Sequence, residues 1–267
     1  MSGGGQDLLA VPVAVPVPSE RGEGQALEAG VFLVDKPVGP TSFRLVQQVR
    51  RALGIKKVGH AGTLDPFASG LLILCAGRPA TRIISQLMGG DKEYEAVLRL
   101  GIATDTQDLE GRVVAEQPVG ELDPSRVAEC LAGFVGEQLQ QPPAYSALKH
   151  QGKPLYYYAR KGIEVTKAPR RIFIHSLRLL DLGAETMTVR VHCTKGTYVR
   201  TLAADIGDAL GCGAHLVALR RLRSGPFSVK DALPGDILAD REQGRALLLE
   251  HWLAVEAVLH RLASSDF

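Results

Sequence analysis

The spacing of apolar residues predicts several strands along the chain. Apolar and polar residues alternate from Tyr94 to Gly101, and the same period of two recurs in IFIHSLRLL (172–180) and MTVRVHC (187–193), which we interpret as adjacent strands. The continuous apolar runs VFLV (31–34) and LLILCA (71–76) predict two further strands, the second with the length of a buried strand. Strand candidates are therefore numerous and often consecutive.

Segments with helical spacing are fewer. Thr41 or Ser42 is a suitable cap for a helix whose apolar residues share one face, and Gly54 ends it. Further helices are predicted at about 79–88, from Asp123-Pro124 onward, in PLYYYARKG (154–162), in YVRTLAADIGDAL (198–210) and at 244–264. Because strands outnumber helices, we predict an α+β fold with a mixed, mostly antiparallel central sheet flanked by helices and loops.

Residues 1–30 are predicted to form a disordered tail, because Gly, Pro and Val dominate them without any periodic pattern. Prolines interrupt the apolar part of this segment and a basic n-region is missing, so it does not resemble a signal peptide. No apolar run approaches the roughly 20 residues of a membrane-spanning helix. We therefore expect a cytoplasmic protein without a membrane partner.

The net charge of +2 conceals an uneven distribution along the chain. The two ends, 1–30 and 231–267, together hold 4 basic and 11 acidic residues of the 31 basic and 29 acidic in the chain, which leaves 27 basic and 18 acidic residues between them. This middle part thus carries +9, a charge that favours a polyanionic partner such as a nucleic acid. A solvated basic face is the structural alternative.

The cysteines and histidines show no spacing typical of a metal site. Cys75, Cys130, Cys193 and Cys212 include no C-x-x-C pair, and no Cys and His recur at zinc-ligand intervals. We therefore predict neither a metal site nor a disulfide framework, and interpret the cysteines as buried free thiols.

One loop has the residues of a functional site. KKVGHAGTLDPFASG (56–70) carries a histidine, a threonine and Asp65 between glycines, just before a predicted buried strand. Pro66 disfavours the helical conformation at Asp65, and glycines such as Gly62 allow a ligand to approach the backbone closely. An Asp-Pro pair is also a common turn initiator, so these residues alone leave a purely structural role open.

Several motifs together resemble the TruB family of tRNA pseudouridine synthases. VDKPVGPTS and the loop just described are followed by DKEYEAVLRLGIATDTQDLEG, PPAYSALKHQGKPLYYYARKG, CTKGTYVRTLAADIG and GAHLVALRRLRSGPF, in the family's order and at similar spacings. These motifs cover nearly all of residues 31–228, which makes coincidence very improbable.

The resemblance implies an isomerase that converts uridine 55 in the T loop of tRNA to pseudouridine, without a cofactor or metal. The family's catalytic aspartate falls on Asp65, an expected nucleophile. Attack on ribose C1′, attack on uracil C6 and abstraction of a sugar proton remain open at this stage. Because burial alone would raise the pKa of such a carboxyl group, a cation is expected beside it, and the resemblance places Arg200 there.

The resemblance also assigns residues that bind the target uridine. It implies that Tyr94 stacks on the base and assists removal of its C5 proton, and that Leu219 forms an apolar pocket wall; ordinary core roles are the alternatives. His60 corresponds to a residue that meets the RNA as the uridine leaves its stack. Further candidate substrate-binding residues are Lys36, Gly62 and Thr63, although the Lys36 stem also suits packing on the loop below it. Candidate phosphate contacts are Lys36, Lys56, Lys57, Lys149, Lys153, Arg220 and Arg223.

The domain prediction comprises the tail, a pseudouridine synthase catalytic domain at 31–235, and a short helical extension at 236–267. About thirty residues follow GPFSVKDALP, too few for the RNA-binding PUA domain that many relatives carry. We expect a monomer that binds the T arm of tRNA without a guide RNA. The alternatives are the catalytic subunit of a guide-RNA particle and a tRNA-folding chaperone that acts by binding alone, an activity compatible with catalysis.

Overall fold

The computed structural model of the protein describes residues 28–146 and 148–264. The strands in this part of the chain are β1 (Gly30–Lys36), β2 (Val58–Ala61), β3 (Ser69–Ala76), β4 (Lys92–Leu100), β5 (Ile102–Thr104), β6 (Val113–Glu116), β7 (Gly136–Gln140), β8 (Lys149–His150), β9 (Lys153–Pro154), β10 (Arg170–Leu182), β11 (Thr186–Cys193), β12 (Ala214–Ser224), β13 (Phe227–Ser228) and β14 (Leu233–Pro234). The helices are α1 (Ser42–Leu53), α2 (Arg78–Arg82), α3 (Ile84–Leu87), α4 (Pro124–Ala132), α5 (Leu155–Ala159), α6 (Val199–Leu210), α7 (Arg241–Glu250) and α8 (Val255–Ser264). Short 3-10 helices cover Val229–Asp231 and Asp236–Ala239.

A ten-stranded sheet organises the fold. Its strands lie in the order β14-β1-β3-β12-β4-β11-β10-β7, with β13 paired to β12 and β2 paired to β3. The β1–β14 and β3–β12 pairs are parallel and the other pairs are antiparallel. Two small two-stranded sheets, β5–β6 and β8–β9, lie outside it. The predicted α+β fold with a mixed, mostly antiparallel sheet is confirmed.

The hydrophobic core lies on both faces of this sheet: one cluster extends along the sheet from β1 to β10, and a second covers the opposite face at the β1–β3 end. On one face, a single cluster runs from Phe32, Leu72 and Leu45 of α1 to residues of α6, and on to α4, which packs on β10. On the other face, Leu33 and Ile73 pack with residues of α2, α3 and α8. The alternation of side chains along a strand explains why neighbouring residues enter different clusters. We call the α1–α6 side the core face and the α8 side the reverse face.

The first helix follows its sequence signals closely. Thr41 is the N-cap of α1, and its Oγ1 accepts a hydrogen bond from the Arg44 amide at 3.1 Å. Gly54 ends the helix in the left-handed region with φ of 71°. The strand before it starts at Gly30, one residue earlier than the apolar run indicated.

Two helix predictions need correction. The helix expected at 79–88 is divided into α2 and α3, which meet at Ile83. The single helix expected at 244–264 is divided into α7 and α8, because Leu253 leaves the helix to form an antiparallel bridge with Val31. The Leu253 amide donates to the Val31 carbonyl oxygen at 2.8 Å, and the Val31 amide donates to the Leu253 carbonyl oxygen at 3.0 Å. The apolar residues at this point therefore pack beside a strand rather than continue one helix.

The remaining predictions on the chain ends and cysteines have mixed outcomes. The predicted disordered tail falls largely on residues 1–27, outside the described residues. All four cysteines are free, and Cys75, Cys193 and Cys212 are buried while Cys130 is half-buried. None of the helices within residues 28–146 and 148–264 has the length and apolar composition needed to cross a bilayer.

Candidate active site

The loop that carries Asp65 is fixed from below by a buried lysine. Lys36 has no exposed surface, and its Nζ donates to the carbonyl oxygens of Pro37, Pro66 and Ala68 at 2.9, 3.2 and 2.7 Å. Burial lowers the pKa of Lys36 to about 8, although the nearby Asp65 carboxylate opposes this shift. These contacts support the structural role of Lys36 that the sequence left open.

A glycine at the end of the loop allows the central strands to meet. Gly70 has φ of +100° and lies directly opposite Arg221, where β3 and β12 pair. A Cβ atom on Gly70 would come within 2.3 Å of the Arg221 carbonyl oxygen. Only glycine fits this conformation and this approach, and both are needed to align the Asp65 loop with β12.

An arginine between two carboxylates forms the centre of the site. Arg200 Nε lies 3.1 Å from Asp65 Oδ2, and its Nη1 lies 3.1 Å from Asp108 Oδ2. The Arg200 guanidinium also donates to the carbonyl oxygens of Thr106 at 3.1 Å and Tyr145 at 2.7 Å. Four acceptors from three chain segments therefore fix its position in the first turn of α6.

Asp108 is the inner partner of this arginine. Its side chain is only 6% exposed, whereas that of Asp65 is 35% exposed and faces the cavity. Asp108 also accepts hydrogen bonds from the Thr106 hydroxyl and the Glu110 amide. The inner carboxylate is therefore fully engaged, while the outer one presents oxygen to a ligand.

Opposing effects act on the ionisation of Asp65. Burial raises the pKa of this carboxyl group, the Arg200 guanidinium lowers it, the negative charge of Asp108 raises it, and Lys36 lowers it. Burial has the largest effect, so the pKa lies above its usual value. Arg200 is thus the main group that favours the ionised form.

The adjacent strands β4 and β12 supply the wall of the site. Tyr94 lies directly opposite Arg221, and Leu219 lies opposite Ala96, so these side chains share the core face. Burial raises the pKa of Tyr94, and the positive charge of the nearby Arg221 acts in the opposite direction. The phenol therefore stays protonated at neutral pH and can donate or relay a proton.

A second buried arginine joins this wall to the loop that carries Asp65. Arg221 is 2% exposed, and its guanidinium donates to the carbonyl oxygens of Leu71 at 2.7 Å and Gly62 at 3.1 Å. Because Arg221 belongs to β12, which pairs with β4, it connects the strands of this wall to the loop that carries Asp65.

These groups surround a cavity of about 920 Å³. Of the residues predicted from the sequence, it brings together Gly62, Thr63, Asp65, Tyr94, Arg200 and Leu219. Its size is that of a small-molecule binding site with mixed apolar and polar walls. His60 and Lys36 do not line it.

His60 lies in β2 beside the loop, where it pairs with Leu74 of β3. Burial lowers the pKa of His60, and the Arg221 cation acts in the same direction. The imidazole is therefore neutral at physiological pH, and an RNA contact by this residue would be a hydrogen bond or a stacking contact rather than an ion pair.

The cations that line the cavity differ from those predicted as phosphate contacts. The sequence-based candidates do not line it, and Arg220 forms a two-pronged ion pair with Asp35 at 2.7 and 3.0 Å. The cationic residues that do line the cavity are Lys92, Arg160, Arg170, Arg171, Lys195, Arg200 and Arg221. Arg160, Arg170 and Lys195 are exposed, so they are the better candidates for phosphate contacts.

Sequence reasoning missed Asp108 and Arg221, although both lie within the quoted motifs. Both stand among polar and charged neighbours, so no local signal set them apart as buried residues. In the described part of the chain, one group of His and acidic side chains has ligand atoms close enough to share a metal ion. Its members are Asp91, His175 and His192, and none of them lines the cavity.

Comparison with known proteins agrees with this geometry. Residues 50–199 match the model of the TruB family pseudouridylate synthase (N terminal domain), and residues 200–260 match the tRNA pseudouridylate synthase B C-terminal domain. The chain belongs to the TruB family. The two matches meet at Arg200, so both matched segments contribute to the site.

Several TruB relatives match over most of the chain. The tRNA pseudouridine synthase B of Desulfotalea psychrophila is 58% identical over 242 residues, which cover 88% of this chain and 98% of the relative. That of Bordetella avium is 49% identical, with coverage of 85% and 93%. That of Syntrophotalea carbinolica is 54% identical over 76% of this chain, but the match spans only 66% of that relative.

Solved structures share the TruB fold. The chain superposes on a protein of a Cbf5-Nop10-Gar1 complex with a TM-score of 0.69 and 28% identity, covering 94% of this chain and 68% of that one. The archaeal box H/ACA sRNP Nop10-Cbf5 complex gives a TM-score of 0.64, also at 28% identity, with coverage of 88% and 63%. The pseudouridine synthase fold expected from the motifs is therefore confirmed.

Proposed function

We propose that this chain is a tRNA pseudouridine synthase that isomerises uridine 55 in the T loop. The observation that carries the proposal is a carboxylate, Asp65, held by Arg200 at a cavity that also presents Tyr94 and Leu219. The relatives that match this chain along nearly their whole length are named tRNA pseudouridine synthase B, which supports tRNA as the substrate.

The reaction needs no cofactor, because it only rearranges bonds within one nucleotide. The bond between uracil N1 and ribose C1′ breaks, the base turns, C5 bonds C1′, the hydrogen on C5 leaves as a proton, and N1 gains a proton. Asp65 acts as the nucleophile in its ionised form, which Arg200 favours. As a nucleophile the carboxylate attacks either ribose C1′ or uracil C6, and in the alternative third route it acts instead as a base that removes a sugar proton.

The cavity walls suit a base that has left its helix. An enzyme that acts on a stacked base must first extrude it, and stacking on an aromatic ring then contributes about 1–3 kcal/mol. Tyr94 is the aromatic group of the inner wall, and Leu219 supplies an apolar surface. Thr63 and the exposed Tyr156 lie at the same cavity, where the flanking nucleotides would pass.

A guide-RNA particle is the alternative favoured by the structural comparison alone, since the matched structures include H/ACA complexes. The relatives named tRNA pseudouridine synthase B are far more similar in sequence, at 49–58% against 28% identity. We therefore infer action on tRNA without a guide. We further propose that the chain acts as a cytoplasmic monomer and that its binding to the T arm assists tRNA folding. Sedimentation of the purified chain alone and with tRNA tests the monomer.

The proposal is tested with an isolated T stem-loop labelled with tritium at uracil C5. Isomerisation replaces the C5–H bond, so the purified chain should release tritium to water without any added RNA guide. A matched stem-loop with cytidine at the target position should release none from its remaining labelled uridines. No release from the stem-loop or from full-length tRNA would contradict the proposal, whereas a requirement for added guide RNA would favour the alternative.

A further inference from the structure

A group of potential metal ligands lies away from the cavity. Asp91 immediately precedes β4, His175 lies in β10, and His192 lies in β11. One ligand atom from each of the three lies within 4.8 Å of the other two. His175 Nε2 is 2.7 Å from Asp91 Oδ2, and the two imidazole rings are 4.7 Å apart between centroids.

Strand register places this group on the reverse face of the sheet. Val191 is buried and lies directly opposite Tyr94, so both face the core. The next residue, His192, therefore points the other way, together with Glu93, its partner on β4. An ion bound there is separated from the Asp65 cavity by the sheet itself.

Strand alternation places the second histidine in the group, beside an irregularity of β10. Ile174 pairs with Cys193 and Ser176 pairs with His192, which leaves His175 as an extra residue in β10. Ile174 is buried in the core, so the next side chain, His175, lies on the reverse face, where its imidazole reaches both Asp91 and His192. The ligands thus come from three segments that are neighbours only through sheet pairing.

The ligand set suits a first-row transition ion. Two imidazole nitrogens and one carboxylate oxygen are a common combination for zinc, with solvent in the fourth position. Bond lengths of about 2.0–2.1 Å place tetrahedral ligand atoms about 3.3 Å apart. The observed separations, from 2.7 Å to at most 4.8 Å, bracket that value, so small side-chain rotations suffice.

The contact between His175 and Asp91 explains only part of this arrangement. It does not account for His192, whose ring lies 4.7 Å from the His175 ring between centroids. A shared metal ion accounts for all three side chains, because each offers one ligand atom to the same small space.

We infer that Asp91, His175 and His192 form a binding site for one zinc-class divalent ion that links the start of β4 to β10 and β11. The ion ties together the strands behind Tyr94 without reaching the reacting atoms. Its expected effect is therefore on stability rather than on the chemical step. The sequence did not predict this site because its ligands lack local spacing.

The test uses the full chain without a histidine tag, freed of metal by a chelator that is then removed. Calorimetric titration with Zn²⁺ should show one strong site, and Zn²⁺ should raise the unfolding temperature. Mg²⁺ should not, because it prefers oxygen ligands. Loss of an outer partner of a metal ligand costs about 10–100-fold in affinity, so loss of a ligand in His192→Ala should weaken Zn²⁺ binding at least about tenfold.

His251 offers a matched control, because its Nδ1 also lies near a carboxylate, Glu250, at 4.0 Å. His251→Ala should bind Zn²⁺ like the unaltered chain. If His192→Ala does not fold, His192→Gln and His175→Gln provide the same test with smaller changes in volume. Absence of a strong site, or equal affinity in the unaltered chain and in folded His175 and His192 variants, would overturn the inference.

Discussion

Replacement of Arg200 by methionine tests the electrostatic centre of the site. The change removes the guanidinium between Asp65 and Asp108 while it preserves an unbranched apolar stem. Arg200 and Asp108 are 8% and 6% exposed, and breaking such a buried pair typically costs about 3–5 kcal/mol. Asp65 is 35% exposed and partly solvated, so its ion pair with Arg200 contributes little to the free energy of unfolding. We expect a loss of about 3 kcal/mol in the free energy of unfolding, measured with urea.

The same change should shift the pH dependence of the reaction. Arg200 opposes the effect of burial on the pKa of Asp65, so its removal raises that pKa further. The reactive form is the ionised carboxylate, and each unit by which its pKa exceeds the assay pH lowers its population about tenfold. The rate at neutral pH should therefore fall, and the acid limb of the pH–rate profile should move to higher pH.

Single-turnover tritium release across pH measures this shift, with saturating enzyme so that binding does not limit the rate. Arg200→Lys is the control, because it retains the charge but loses the fork that contacts two carboxylates. Its profile should lie between those of the unaltered chain and Arg200→Met. A folded Arg200→Met enzyme with an unshifted profile would refute the assigned electrostatic role.

Three further changes test the supports of the site. Lys36→Met leaves the carbonyl oxygens of residues 66 and 68 without their donor, which should cost about 1–3 kcal/mol in urea unfolding and slow the reaction. Gly70→Ala should destabilise the chain more than Gly54→Ala, because both glycines have positive φ but only a Cβ at residue 70 would collide with backbone, that of Arg221. Equal decreases of the unfolding temperature in the two variants would contradict this reasoning. Tyr94→Phe keeps a ring worth about 1–3 kcal/mol of stacking, so RNA binding should persist while the single-turnover rate falls; an unchanged rate would exclude a role for the hydroxyl.

Local patterns predicted much of the fold, and β12 shows why the prediction was incomplete. The strands of period two and the caps of α1 depend on neighbouring residues, and the structure has them. Register shifts between Leu216 and Ala218, and between Arg221 and Arg223, break the alternation of β12. The buried Arg221 also puts a charged residue where a strand pattern would have an apolar one. The segment AHLVALRRLRS was therefore not predicted as a strand, although it lies at the centre of the sheet.

Only the site residues that the family resemblance assigns were predictable from the sequence. The resemblance placed a cation beside Asp65, and Arg200 lies there at 3.1 Å. Asp108 escaped notice because it reaches the site through Arg200, 92 residues further along the chain. Similarly, Arg221 lies opposite Gly70 of β3 and Tyr94 of β4. Both partners are more than a hundred residues away along the chain, so this pairing leaves no local pattern in a single sequence.

The most direct test of the account is single-turnover pseudouridine formation by Asp65→Asn on a T stem-loop, measured beside RNA binding by the same protein. The amide preserves the size of the side chain and can still accept a hydrogen bond from Arg200, but it lacks the reactive charge. We predict no detectable isomerisation, with an RNA dissociation constant within a few-fold of that of the unaltered chain. Substantial turnover by the purified variant, with contaminating unaltered enzyme excluded, would contradict the assignment of Asp65 as the nucleophile.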